Sequence, residues 1–119
     1  MDGQDNMSTL AFRMQLFPGR MEEYRRRHAL IWPELQAALL DAGIVDYRIF
    51  HDASDDALFA VMCCREPNAL DRLPDLPVMR RWWAYMADIM ATAPDLSPRQ
   101  HSLPPMFVLT AEGGRPCAS

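Results

Sequence analysis

Alternating apolar and polar positions predict three strands in the first half of the chain. Residues 9–17 carry an apolar side chain at nearly every second position, and a Pro-Gly pair ends this pattern. Residues 44–51 and 58–65 are two further strand-like runs, separated by Asp and Ser residues that favour a turn. These two strands are predicted to form a hairpin, and simple alternation places Tyr47 on the same face as Val45.

A longer period predicts a helix between the first two strands. Apolar residues recur at roughly helical spacing from Arg20 to Ala42, and Gly43 is typical of a helix C-terminus. Pro33 interrupts this helix, because its ring removes one backbone hydrogen bond and clashes with the carbonyl of Ala29. We therefore expect two helical pieces that meet near residues 30–32.

The second half of the chain begins with a connector rich in proline. Residues 67–77 form this connector, with a short helical turn expected at 68–73. A helix with two neighbouring apolar stripes is predicted for residues 78–90. Residues 93–98 then form a loop, and the apolar run at 106–110 is predicted to be the last strand.

The predicted element order is βαββαβ. This order is typical of the ferredoxin-like pattern, an α+β fold in which a four-stranded antiparallel sheet carries two helices on one face. Because the helices cover only one face, we expect a homodimer whose sheets face each other, a dimeric α/β barrel. Residues 1–8 are expected to be a flexible N-terminal segment, 9–110 a single domain and 111–119 a disordered tail.

Composition excludes several classes of function. The net charge of −4 argues against a protein held to nucleic acid by phosphate contacts. All 12 basic residues are arginine, so chemistry that needs a lysine, such as Schiff-base, pyridoxal-phosphate or P-loop chemistry, is excluded. The three cysteines show no disulfide or metal-binding spacing, and the acidic N-terminus lacks the features of a signal peptide. This cysteine usage fits a reducing cytosol, so we expect a cytoplasmic protein without a metal. No apolar run reaches membrane-spanning length, so we expect no membrane partner.

Two charged clusters have plain interpretations. The Arg25–Arg27 run could suggest a phosphate-binding patch, but in an acidic chain we interpret it as a solvated helix face paired with Glu22 and Glu23. The acidic residues at 52–56 could hold a hard cation, although three acids in a turn are more often a solvated turn. We predict no metal site here.

Aromatic residues supply the candidate chemistry. Tyr24 and His28 are four residues apart and share one face of the predicted helix. Histidine can give and take protons near neutral pH, although a lone pair at this spacing more often has a structural role. Trp82 and Trp83 begin an apolar helix, and we expect one to pack in the core and the other to reach a site. Tyr47 is a further candidate ligand contact, although it could simply pack against a helix.

Several motifs occur along the chain in a fixed order. They are Met14-Gln15, Glu23-Tyr24 with Arg26-Arg27-His28, Ile31-Trp32-Pro33-Glu34-Leu35, Tyr47, Arg81-Trp82-Trp83 with Tyr85-Met86, and the loop Pro94-Asp95-x-Ser97-Pro98. In this order and spacing, from about Ala11 to Leu109, they resemble the L-rhamnose mutarotase family. The resemblance implies a small dimeric ferredoxin-like protein of the cytoplasm that interconverts the α and β anomers of L-rhamnose without a cofactor.

The resemblance also implies roles for individual residues, and His28 matches the family's proton donor. For the mutarotase reaction itself we expect His28 to be the general acid or base, with Tyr24 or an ordered water as the second proton carrier. The positions that match its substrate contacts are Tyr24, Tyr47, Trp82 and Trp83.

Departures from the family pattern keep other functions open. Phe50-His51 differs from the family's usual residues, and the segment 66–77 matches poorly. Another 6-deoxy sugar such as L-fucose is therefore an alternative substrate. From other classes of function, the alternatives are a cofactor-free monooxygenase with the same dimeric architecture and a non-catalytic sugar-binding module.

Overall fold

The structure is a computed structural model that describes residues 6–111. Its elements are β1 (Met7–Gln15), α1 (Met21–Ala29), α2 (Pro33–Asp41), β2 (Ile44–Asp52), β3 (Ala57–Arg65), a 3₁₀ helix (Leu70–Asp75), α3 (Pro77–Met86) and β4 (His101–Ser102). Of the expected flexible segment 1–8, residues 1–5 lie outside the described range, as does the expected tail from residue 112 onward. No helix in the described range is long and apolar enough to cross a membrane.

The four strands form one antiparallel sheet in the order β2-β3-β1-β4. Side chains on one face of the sheet pack against the helices. Met14 of β1 pairs with Leu58 of β3, and both are buried in the main core cluster with residues of α3. The ferredoxin-like α+β prediction is therefore confirmed.

The predicted break in the first helix is confirmed. α1 ends at Ala29 and α2 begins at Pro33, which occupies the first turn, where its missing amide hydrogen costs nothing. Trp32 has extended backbone angles, as expected for a residue that precedes proline. Gly43 follows α2 with φ +115°, and a Cβ at this position would lie 2.8 Å from the Cβ of Asn68. The break leaves His28 in the last turn of α1.

A β-bulge changes the expected alternation at the start of β2. Ile44 pairs with Cys64, and Asp46 pairs with Cys63, the residue next to Cys64 on β3. Val45 therefore has no partner on β3 and is the extra residue of the bulge. Ile44 is buried in the core, whereas Val45 is exposed. Simple alternation therefore fails at this point, because Ile44, three positions before Tyr47, shares the helix-facing side with it.

α3 is shorter than predicted. It ends at Met86 rather than at residue 90, because the following residues are drawn toward the end of β1. The amide of Phe17 donates to the carbonyl of Ile89, and the amide of Ala91 donates to the carbonyl of Gln15. Leu16 and Met90 form an isolated bridge between these segments, and both are buried.

The last strand lies earlier than predicted. β4 is the two-residue strand His101–Ser102, which pairs with Phe12 and Arg13 of β1. Two consecutive prolines at 104–105 have no amide hydrogen to donate, so the ladder does not continue. The predicted strand at 106–110 is absent, and the side chains of Met106–Leu109 are 65–92% exposed.

Candidate functional site

A cavity between the sheet and the helices contains all five predicted site residues in its lining. Tyr24 and His28 come from α1, Tyr47 from β2, and Trp82 and Trp83 from α3. Tyr47 faces this cavity because it pairs with Met62 of β3, a buried residue on the helix-facing side of the sheet. The fold thus brings together residues that are up to 59 positions apart in the chain.

Tyr24 and His28 are in direct contact. Their rings are stacked with centroids 4.3 Å apart and planes 28° from parallel. The Nδ1 atom of His28 lies 3.1 Å from the backbone carbonyl oxygen of Tyr24. Because a carbonyl can only accept a hydrogen bond, Nδ1 carries the proton in the neutral ring and Nε2 keeps its lone pair. His28 can therefore act as a base through Nε2.

Burial sets the protonation states of His28, Tyr24 and Tyr47. It lowers the pKa of His28 below its ordinary value of 6.5, against the opposing effect of the hydrogen bond to the Tyr24 carbonyl. The pKa of the Tyr24 phenol is raised, first by burial and second by the nearby phenol of Tyr47. Although Tyr47 is 36% exposed, burial raises its pKa to about 12. At neutral pH the site thus holds a neutral imidazole and two phenols that can donate hydrogen bonds.

The two tryptophans occupy different environments. Trp82 is only 6% exposed and meets the His28 ring edge-on, with centroids 5.3 Å apart and an interplanar angle of 88°. Trp83 is partly buried at the edge of the core and lines the cavity. Trp82 is therefore the tryptophan that packs in the core, and it also contacts His28, while both tryptophans line the cavity.

Sequence reasoning did not select two further aromatic residues, Trp32 and Tyr85. Trp32 meets Trp82 edge-on at 5.0 Å and stacks on Tyr85 at 5.6 Å, while Tyr85 lies 5.7 Å from Trp82. Both residues occur in the motifs that carry the family resemblance. The signal that could have identified Trp32 is its place directly before Pro33, where the chain turns out of one helix and into the next.

Arg27 is buried, unlike the neighbouring arginines, and only 9% of it is exposed. The interpretation of a solvated Arg25–Arg27 face is therefore wrong for this residue. Its guanidinium forms ion pairs with Glu23 at 2.7 Å and with Asp88 at 2.9 Å. Arg26 is exposed and forms the expected ion pair with Glu23. Together Arg26 and Arg27 lower the pKa of Glu23 to about 2.

The acidic residues at 52–56 hold the hairpin turn together. The Asp52 carboxylate accepts hydrogen bonds from the amide and hydroxyl of Ser54, and the Asp55 carboxylate accepts one from the amide of Ala57. Within residues 6–111, no group of three or more His, Cys, Asp or Glu side chains is arranged to hold a metal ion.

Comparisons with known proteins point to one family. A family model described as L-rhamnose mutarotase matches residues 9–109. An L-rhamnose mutarotase of Paraburkholderia phytofirmans is 55% identical over 105 residues, which cover 88% of this chain and 98% of that protein. An L-rhamnose mutarotase of Acidiphilium cryptum is 58% identical over 103 residues, covering 87% and 99% of the two chains.

Solved structures agree with this assignment. The crystal structure of an L-rhamnose mutarotase from Formosa agariphila is similar with a TM-score of 0.80 and 36% identity, covering 87% of this chain and 99% of that one. A putative antibiotic biosynthesis monooxygenase from Nitrosomonas europaea is similar with a TM-score of 0.58 over 90% of this chain and 97% of that one. That protein is only 11% identical, so the likeness shows a shared fold alone. With its matching family model, close relatives and similar structure, this chain belongs to the L-rhamnose mutarotase family.

Proposed function

We propose that this chain interconverts the α and β anomers of L-rhamnose by acid–base catalysed opening and closure of the sugar ring. Family membership and the names of its relatives support this reaction and this sugar. The observation that carries the chemistry is the partly buried His28, whose Nε2 is free to accept a proton inside a cavity lined with aromatic residues.

The reaction needs two proton transfers. Nε2 of His28 takes the proton of the anomeric hydroxyl while the ring oxygen gains a proton, and the bond between C1 and the ring oxygen breaks. The product is the open-chain aldehyde. Rotation about the C1–C2 bond turns the other face of the carbonyl toward the hydroxyl, which then closes the ring as the protons return. Positioned proton transfer contributes about 10²–10⁴-fold, and the reaction oxidises and reduces nothing.

The other site residues hold the sugar and complete the proton transfer. Tyr24 is protonated at neutral pH and lies against His28, so its phenol gives a proton to the ring oxygen, directly or through a water, and takes one back when the ring closes. Tyr47 donates a hydrogen bond to a sugar hydroxyl from the sheet side of the cavity. Trp82 and Trp83 provide apolar faces for the part of the ring that carries the methyl group.

The test is anomer-exchange NMR with L-rhamnose. We expect His28→Ala to lower the exchange rate by about 10²-fold or more, because no other side chain replaces the proton transfer. His101→Gln is the matched control, since His101 is exposed on β4 and does not line the cavity. An exchange rate at the wild-type value in His28→Ala would disprove the role of His28.

The choice of sugar is tested in the same experiment. L-Rhamnose and L-fucose differ in the orientation of ring hydroxyls, so a site that hydrogen-bonds those hydroxyls distinguishes them. We expect faster catalysed exchange for L-rhamnose than for L-fucose. The opposite order would assign the chain to another 6-deoxy sugar.

We also propose a cytoplasmic homodimer in which two sheets face each other. On the face of the sheet away from the helices, Phe50 is 55% exposed and Val61 is 36% exposed. The exposed apolar segment Met106–Leu109 adds surface that a second copy could cover. The family resemblance supports the same assembly and the same location.

A further inference from the structure

Arg27 joins α1 to the end of α3 through one guanidinium group. Nη1 donates to the backbone carbonyl of Tyr85 at 2.6 Å and to Oδ1 of Asp88 at 2.9 Å, and Nη2 lies 3.3 Å from Oδ2 of Asp88. Nε donates to Glu23 on its own helix at 2.7 Å. The guanidinium carbon also lies 4.4 Å from the centroid of the Tyr85 ring. We call this set, formed by Arg27, Glu23, Tyr85 and Asp88, the arginine latch.

The latch fixes direction as well as distance. A guanidinium is planar, and its donors point along fixed directions, so two bonds to one carboxylate and one to a carbonyl define the orientation of both helices. The carboxylates are held in their charged form, because Arg27 lowers the pKa of Asp88 and contributes to lowering that of Glu23. The latch therefore stays intact over the neutral pH range.

The latch lies next to the catalytic group. His28 follows Arg27 directly in the last turn of α1, and the ring it meets edge-on, Trp82, lies one turn before Tyr85 on α3. Tyr85 in turn contacts both Trp82 and Trp32. Any rotation of the end of α1 relative to α3 would therefore change the position of His28 relative to Trp82.

We propose that Arg27 is a positioning residue for the mutarotase reaction, which sets where His28 lies relative to Trp82 through the arginine latch. The inference rests on the proposed role of His28. Arg27 is buried but its partners Glu23 and Asp88 are 30% and 64% exposed, and ion pairs that reach solvent contribute little net stability, so the latch is better explained by the geometry that it imposes.

The test replaces Arg27 with glutamine, which removes the charge and the planar set of donors. We expect kcat for anomer exchange to fall about tenfold while KM changes less than about threefold, because a displaced catalytic group loses rate more than binding. The His28 ring protons, assigned by comparison with His28→Ala, should also shift in the NMR spectrum. Their position depends on the stacked Tyr24 and the edge-on Trp82.

Arg81→Gln is the matched control. Arg81 of α3 forms an ion pair with Glu34 of α2 at 3.0 Å, so it also joins two helices, but both side chains are exposed. We expect kcat and KM within about twofold of wild type and an unmoved His28 signal, as for most exposed ion pairs. Arg27→Lys keeps the charge without the planar fork, and should recover part of the lost rate.

Two results would overturn the proposal. One is a folded Arg27→Gln protein whose kcat, KM and His28 signal equal those of wild type and whose melting temperature alone is lower. The latch would then stabilise the fold without positioning His28. If Arg27→Gln does not fold, Asp88→Asn takes its place, since Asp88 is exposed. We then expect about a threefold loss of kcat and a shift of the same signal, and wild-type values would be the second contrary result. A His28→Ala protein with wild-type exchange would instead contradict the proposed function itself.

Discussion

The imidazole of His28 lies against the phenol of Tyr24 along one face of α1, with ring centroids 4.3 Å apart. This contact keeps a proton acceptor and a proton donor side by side. Burial maintains both in their neutral forms, because it lowers the pKa of His28 and raises that of Tyr24. The pair therefore has the protonation that the proposed ring opening requires.

Activity should depend on pH through His28. Its neutral form is the base, and its pKa in the folded protein lies below 6.5. We expect kcat/KM to be level at neutral pH and to fall on acidification, with a midpoint below 6.5. Anomer-exchange rates measured across this range give the midpoint. A midpoint at or above the ordinary histidine value would contradict the effect of burial.

The same lowered pKa links stability to pH. In the window between the folded pKa of His28 and 6.5, the unfolded chain binds more protons than the folded one. The contribution of His28 to the free energy of unfolding is therefore most favourable above 6.5 and declines as the pH falls through this window. Urea titrations of wild type and His28→Gln at several pH values measure it, since only the wild type carries this linkage.

Tyr24 and Tyr47 should differ in what their hydroxyls contribute. Tyr24→Phe removes the donor in contact with His28, so we expect kcat to fall about 10–100-fold with little change in KM. Tyr47→Phe removes the hydrogen bond that we propose to the bound sugar, and should mainly raise KM, about threefold to tenfold. Steady-state anomer exchange separates the two parameters. Equal effects of the two substitutions on kcat would argue against Tyr24 as a proton carrier.

Trp82 and Trp83 should differ in their effect on stability. Trp82→Ala removes a buried ring that contacts three other aromatic rings, and we expect the free energy of unfolding to fall by about 3–5 kcal/mol. Trp83 is partly buried, so Trp83→Ala should lower it by about 1–2 kcal/mol. Urea denaturation measures both values. A larger loss for Trp83 would show that the burial of the two rings is reversed.

Gly43 and Gly19 form a matched pair for a backbone prediction. Both have positive φ angles, +115° and +79°, so alanine is strained at either position. At Gly43 the added Cβ would also lie 2.8 Å from Asn68, whereas nothing lies within 4 Å at Gly19. We expect Gly19→Ala to lower the free energy of unfolding by about 1 kcal/mol and Gly43→Ala by about 3 kcal/mol. Similar losses would mean that the contact with Asn68 relaxes freely.

The proposed dimer predicts opposite results at two exposed apolar residues. Phe50 lies on the face of the sheet away from the helices, and Leu30 follows α1 on the other side of the molecule. A charge buried in a dimer interface is costly, so Phe50→Glu should convert the dimer to a monomer, while Leu30→Glu should leave it intact. Light scattering after gel filtration measures the mass. A wild-type monomer, or a dimeric Phe50→Glu protein, would contradict the proposed interface.

The sequence predicted features that depend on local chemistry. Pro33 breaks the first helix wherever the rest of the chain lies, because the lost amide and the steric clash are properties of the residue itself. The spacing of Tyr24 and His28 likewise predicted their contact, since residues four apart meet on any helix.

Features that depend on a distant partner could not be predicted in this way. The apolar run at 106–110 has strand-like composition, but a strand needs a neighbour, and prolines 104 and 105 interrupt the pairing with β1. Arg27 looked like its exposed neighbours because its partner Asp88 is 61 residues away. A contact between residues so far apart in the chain forms only on folding, and it produces no periodic pattern in the local sequence.

The bulge at Val45 determines which side chains of β2 face the helices. With one extra residue, Ile44 and Tyr47 both face the helices although an odd number of positions separates them. If the same residues paired with β3 without the bulge while Ile44 stayed in the core, Asp46 and Arg48 would turn toward the helices and Tyr47 away from them. A single residue with no partner on β3 thus decides whether a neutral phenol or two charged side chains lie on the helix-facing side of β2, and deleting Val45 would keep the phenol there, because Ile44 and Tyr47 would then be two positions apart.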